Sequence, residues 1–131
     1  MSVNGLRMSR RTPGLCVSST QFFPTRISHE NLRQQNFSPA IAWEALDIAN
    51  FAGTSVRLHW TNQPYKWHIN DGEEVFAVLD GVVEMHYREA GEVKKVLLNS
   101  GDIFYASIGT EHVAHPQGEA RVLVIEKEDS V

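Results

Sequence analysis

The sequence predicts an all-β domain, a sandwich or closed barrel of short strands. Three observations carry that reading. From Thr54 onward, apolar and polar residues alternate in short runs rich in Val, Ile, Tyr and Phe. Turn residues punctuate the runs: Ala52-Gly53, Asp80-Gly81, Asn99-Ser100-Gly101-Asp102, and Gly109 to Gly118. The 131 residues are 42% hydrophobic and 21% charged, a globular mix that suits one core.

Residues 1–25 read as a basic tail, and 26–131 as the single domain. The tail is rich in Ser, Arg and Gly and lacks sustained periodicity. Ser9-Arg10-Arg11 is not followed by the apolar stretch an export signal needs. An acid-free, Arg-rich start also fits a transit peptide, or an over-long gene start with Met8 or a later codon as the true one. Ile27–Leu32 predicts a short helix. Ser28 can cap it, Glu30 suits its positive end, and Ile27 can staple to Leu32. Residues 40–51 are two-sided. Pro39, the alanines and Gly53 read locally as a helix; the all-β context favours a strand around 44–51.

Val56–Trp60 alternates as a strand. Glu74–Leu79 is β-rich and ends at Asp80-Gly81, the signature of a two-residue hairpin. Val82–Arg88 would then return beside it. Val93–Leu98, Ile103–Ala106 and Arg121–Glu126 complete the set. If Asp80 and Gly81 form the tip, Glu74, Phe76, Val78, Val83, Met85 and Tyr87 share one face. Most of that face is apolar, so it points inward. Glu74 then stands as an acid at the end of an apolar face. A lone buried carboxylate costs on the order of several kcal/mol, so something must partner it.

Charge excludes one class of partner. The four arginines before Glu30 give the N-terminal part +4, while the rest carries 8 basic and 16 acidic residues. An acidic body is a poor nucleic-acid footprint. No apolar run approaches the ~18 residues of a membrane-spanning helix. Cys16 is the only cysteine, which excludes an internal disulfide and a Cys-built zinc site and points to a reducing cytoplasm.

His68, Asn70 and His112 offer the donors that Glu74 would share around a cation. Two imidazoles, a carboxylate and a carboxamide oxygen suit a first-row metal site with open positions. The spacing resembles the cupin superfamily. The first cupin motif is matched by His68-Ile69-Asn70, three residues, Glu74, six residues, Gly81. The second is matched by Gly101, five residues, Ser107-Ile108-Gly109, two residues, His112. Trp67-His68, Glu74-Val75-Phe76 and the late Val124-Ile125-Glu126 look most like the mannose-6-phosphate-isomerase-like group. The resemblance covers about 44–127. It implies a double-stranded β-helix, a jelly-roll barrel, with its site at the mouth. Asn70 stands where the motif has a second His, residue 62 is Asn for Gly, Ser107 replaces Pro and Pro116 replaces Asn.

The expected site is therefore one divalent ion (Zn, Fe, Mn or Ni) on His68, Asn70, Glu74 and His112, in a pocket lined by Phe76, Met85, Tyr87, Trp60, Tyr105 and His59. The alternative is a metal-free trio in which an imidazolium pairs with Glu74. His59 alternates with Leu58 and Trp60; facing water is the expectation, lining the pocket the alternative. His86 reads as a solvated sheet histidine beside Glu84 and Arg88, and His115 as a surface residue. The function expected is metal-dependent chemistry of isomerase, dioxygenase or lyase type on a small molecule; the alternative is a metabolite- or sugar-binding module. Val75, Ala77 and Leu79 form a second apolar face. A twofold partner, or the N-terminal segment, would cover it, and a homodimer is expected.

Overall fold

The computed structural model describes residues 28–130. The segment before β1 bears on the first expectation. Residues 28–33 are not helical, and among the described residues the one helical turn is a 3₁₀ turn at Gln34–Asn36. This corrects the short helix expected at Ile27–Leu32, of which Ile27 lies outside the described residues. A few polar residues cannot offset the cost of helix nucleation. Ser28 does not cap an amide; its Oγ lies 3.2 Å from the His29 ring. The chain here is instead tied down from outside, since Arg121 donates to the Phe37 carbonyl (2.8 Å) and to Ser38 Oγ (2.6 Å).

Among the described residues nine strands follow: β1 (Ala45–Phe51), β2 (Thr54–Thr61), β3 (His68–Ile69), β4 (Glu74–Asp80), β5 (Val83–Glu89), β6 (Glu92–Leu98), β7 (Ile103–Ala106), β8 (Glu111–Pro116) and β9 (Ala120–Lys127). They form two antiparallel sheets, ordered β1-β2-β9-β4-β7 and β3-β8-β5-β6. The stretch at 45–51 is a strand, as the all-β context requires. It pairs with β2 across a tight turn in which Ala52 (φ +52°) and Gly53 (φ +94°) both take positive φ.

The hairpin expected at Asp80-Gly81 does not form. β4 pairs with β9 and β7, and β5 pairs with β8 and β6, so the two strands belong to opposite sheets. Asp80 pairs instead with Arg121, and its carboxylate accepts from that guanidinium at 2.7 Å. The glycine is required for a different reason. At Gly81 φ is +84°, and a Cβ there would meet the Glu119 carbonyl oxygen at 2.2 Å. The chain is crossing between sheets under close contact with the turn before β9.

The facing deduced from that hairpin survives its loss. Glu74, Phe76, Val78, Val83 and Met85 are all buried, and Tyr87 is half-buried. The two sheets face each other, so inward positions on β4 and β5 line one interior whether or not the strands pair. Phe76, Val78, Val83 and Met85 meet Leu98, Ala114, Val122 and Val124 there. β8 lies within the Gly109–Gly118 stretch that the sequence suggests is loop. Its inward positions, His112 and Ala114, are not large apolar residues, so the usual strand signal is weak.

Candidate functional site

Between the sheets lies a cavity of about 180 Å³. Its wall includes Arg57 and His59 from β2, Glu74 and Phe76 from β4, His112 and Ala114 from β8, and Val124 and Glu126 from β9. His68, Trp43, Tyr65 and Ser130 complete it.

Three donors converge. His68 pairs with His112 across β3 and β8, which sets their rings 4.4 Å apart. Glu74 reaches in from the opposite sheet, with Oε1 2.7 Å from His112 Nε2. One ligand atom from each of His68, Glu74 and His112 lies within 4.8 Å of the others. His112 is 2% and Glu74 5% exposed, so this is an interior charge cluster.

Hydrogen bonding decides which nitrogen each ring presents. A carbonyl only accepts, so His112 Nδ1–H donates to Thr110 (2.9 Å) and His68 Nδ1–H to Lys66 (2.9 Å). Each neutral ring then offers its Nε2 lone pair. Backbone anchoring of this kind orients imidazoles for a metal. A lone pair 2.7 Å from a carboxylate oxygen is repulsive unless a cation or a proton stands there. Burial alone would lower the pKa of His112, but its hydrogen bond to Glu74 and the charge of that carboxylate raise it. Burial lowers that of His68. The donor set therefore fits a divalent ion, with a proton on His112 as the metal-free counterpart.

Asn70 is 2% exposed and sits between carboxylates. Its Nδ2 donates to Glu74 Oε1 at 2.6 Å and to Glu126 Oε1 at 3.3 Å. Its Oδ1 is buried without a hydrogen-bond partner. Glu126 was not among the expected site residues. It pairs with Glu74 across β9 and β4, and both point inward. Burial, and then the charge of Glu74, push its pKa up to about 7. The signal was available: Glu126 has the inward parity of Val122 and Val124.

Of the expected pocket residues, Phe76 and His59 line the cavity. His59 corrects the expectation that it faces water. Its parity opposite Leu58 and Trp60 holds, but both faces of β2 are largely covered, and the His59 face is the inner one. Its Nδ1–H donates to the Trp43 carbonyl at 3.0 Å, and burial pulls its pKa down to about 4. Trp60 is buried on the other face of β2 and is not a wall residue. Tyr105 is also corrected. It projects outward from β7, 55% exposed, with its hydroxyl donating to Glu73. Met85 is fully buried in the core below the cavity lining, and Tyr87 packs on Phe104 at 5.5 Å between ring centroids.

Trp43 is the wall residue that local sequence signals conceal. It lies in the stretch with helical propensity, yet its φ is +66°, strained for a bulky side chain. Three hydrogen bonds hold it. Its amide donates to the Trp60 carbonyl (2.8 Å), its indole N–H to the Gln63 carbonyl (2.8 Å), and its carbonyl accepts from His59. Its ring lies 5.2 Å from Tyr65, which is 5.1 Å from His68. An aromatic wall thus runs from Trp43 to the histidine pair.

Two facing antiparallel sheets around a cavity make a β-barrel fold, and solved structures that include cupins share it. A cupin-2 domain protein from Shewanella frigidimarina superposes with a TM-score of 0.62 at 23% identity, over 72% of this chain and 87% of that one. Hydroquinone 1,2-dioxygenase from Sphingomonas superposes at 0.61 with 18% identity, over 68% of this chain and 28% of the enzyme. Hydroxypropylphosphonic acid epoxidase from S. wedmorenis superposes at 0.57 with 15% identity, over 63% of this chain and 49% of the enzyme. That epoxidase has been crystallised with Fe(II) and with Co(II). At these identities the likeness is one of fold. No protein-family model and no curated protein matches the sequence.

Proposed function

We propose that the chain is a metal-dependent enzyme acting on a small molecule in the barrel cavity. The observation that carries this is the pair of carbonyl-anchored imidazoles, His68 and His112, presenting Nε2 beside the buried Glu74 carboxylate. These three would hold one divalent ion, Zn, Fe, Mn or Ni by the chemistry of the donors. When bound, such an ion polarises a substrate oxygen or activates water or dioxygen. Asn70 holds Glu74 in place, and its unpaired Oδ1 is left to meet the ion or the substrate. Glu126 can give or take a proton near neutral pH at its carboxyl group. His59, its Nδ1–H committed to Trp43, offers an acceptor at Nε2. Trp43 and Tyr65 give the substrate an aromatic wall. The motif likeness to the mannose-6-phosphate-isomerase-like group, together with the fold neighbours, supports isomerase, dioxygenase or lyase chemistry.

Elemental analysis of purified protein tests this. One ion per chain that depends on His112, absent from His112→Ala, is expected. Wild-type protein that takes up no more of the four metals than His112→Ala does would instead have a metal-free cavity, a binding module with His112 protonated against Glu74.

The chain is also proposed to form a homodimer through the outer face of the five-stranded sheet. The N-terminal segment covers part of that face, with Gln34–Asn36 against β4. Leu79, Ile103 and Tyr105 remain 38%, 65% and 55% exposed. Light scattering at micromolar concentration should give twice the chain mass; a monomer mass overturns it.

A further inference from the structure

A second group of two histidines and a glutamate lies on the outside of the four-stranded sheet. Glu84 and His86 belong to β5 and His115 to β8. Glu84 pairs directly with His115, and His86 pairs with the intervening Val113. Alternation puts Glu84, His86 and His115 on one face, opposite to Met85 and Ala114 in the core. The two imidazoles lie 4.1 Å apart between ring centroids, tilted by 30°. The inner pair stands at 4.4 Å. Glu84 Oε1 is 2.9 Å from His86 Nε2, much as Glu74 is 2.7 Å from His112.

We propose that Glu84, His86 and His115 form a separate transition-metal site, selective for zinc(II), copper(II) or nickel(II), on the outer face of the barrel. Imidazoles select these borderline metals over magnesium or calcium. The histidines rise from two strands that pair directly, with β5 held between β8 and β6, which gives the site a firm base. The His86 side chain is only 17% exposed, while Glu84 is 38% exposed and open to an arriving ion. On binding, the proton that His86 Nε2 now donates to Glu84 passes to Nδ1, and Nε2 presents its lone pair to the ion. Among the described residues only the inner trio has all its ligand atoms within 4.8 Å, so the outer one closes through a side-chain rotation. Lys95 pairs with His86 from β6 and is the opposing cation. Its long stem lets the ammonium turn to water. The two histidines are the core of the site, and solvent fills the remaining positions.

Copper(II) titration of the untagged full chain, followed by paramagnetic resonance, tests this. Wild type should bind two copper ions, one of them with a signature of two imidazole nitrogens that persists in His112→Ala. His115→Ala and His86→Gln, checked for folding by circular dichroism, should each weaken that persisting site roughly tenfold or more. The outcome is separable from the fate of the inner site. If the cavity takes no metal, wild type still binds one copper, and His115→Ala weakens it by the same factor. Unchanged copper stoichiometry and affinity in both His115→Ala and His86→Gln overturns the proposal.

Discussion

Strand β8 serves two histidine-glutamate clusters that share composition and differ in everything around them. His112 points into the barrel and His115 points out, because three residues along a strand reverse the face. The inner cluster is largely buried, with His112 at 2% and Glu74 at 5% exposure and His68 half-buried. Its imidazoles are locked by backbone carbonyls, and its carboxylate is clamped by Asn70. The outer cluster is open on the Glu84 side and is oriented by side chains touching one another. Burial turns the same residue types from adjustable surface groups into a preorganised set. A charge inside must be matched, whereas a charge outside is met by water.

The largest expected effect lies on the inner side. Without metal, His112→Ala leaves the Glu74 carboxylate buried and short of its cationic partner. Loss of one member of a buried pair costs about 3–5 kcal/mol. Urea denaturation should show a drop of that order with the fold retained. A loss under about 1 kcal/mol would mean that Asn70 alone suffices to hold Glu74.

Asn70→Leu comes next. It removes the donor that positions Glu74 and Glu126, and losing a hydrogen bond that orients a metal ligand lowers metal affinity roughly 10–100-fold. Competition with a chromogenic chelator measures it. Affinity equal to wild type would show that Glu74 needs no clamp.

The inner carboxylate Glu126 and the imidazole His59 should shape the pH profile of the metal-free protein in opposite senses. Glu126 has its pKa raised from 4.5 to about 7. Folding therefore favours its protonated form, and that contribution is present below about 4.5 and is lost as pH rises to about 7. His59 has its pKa lowered from 6.5 to about 4. Its contribution is present above about 6.5 and is lost as pH falls to about 4. In melting curves across this range, Glu126→Gln should remove the decline toward neutral pH, and His59→Gln the decline toward acid. A profile that neither variant alters would show that both groups are solvated like their outer counterparts.

The smallest effect belongs outside. Glu84→Gln, at the most open member of the outer pair (38% exposed), should leave metal-free stability close to that of wild type, as surface changes do. A clear loss in the same urea assay would mean that the outer cluster, too, is part of the packing.

Much of this arrangement was legible in the sequence. Glu74 announced itself as an acid on an apolar face, and motif spacing brought His68 and His112 to it. The inward set from Glu74 to Tyr87 was also readable, although the hairpin used to deduce it is absent. Alternation belongs to each strand by itself, so it outlives a mistaken pairing. Glu126 was readable by the same parity and was passed over because it sits at the end of a strand. Trp43 was not readable, since its positive φ is imposed by partners at Trp60, Gln63 and His59.

What the sequence by itself determined is therefore β2 and the set of strands from β4 onward, apart from β8, and the alternation that sorts side chains onto faces. Both arise between near neighbours in the chain. Tertiary structure alone decided which strands pair, that β4 and β5 part into opposite sheets, and which face of β2 is the inside. It also decided that the N-terminal segment ends as a strap held by Arg121 rather than a helix. Those outcomes depend on contacts between residues far apart in the chain, where a guanidinium can outbid a weak local propensity and Gly81 can admit a backbone that any side chain would exclude.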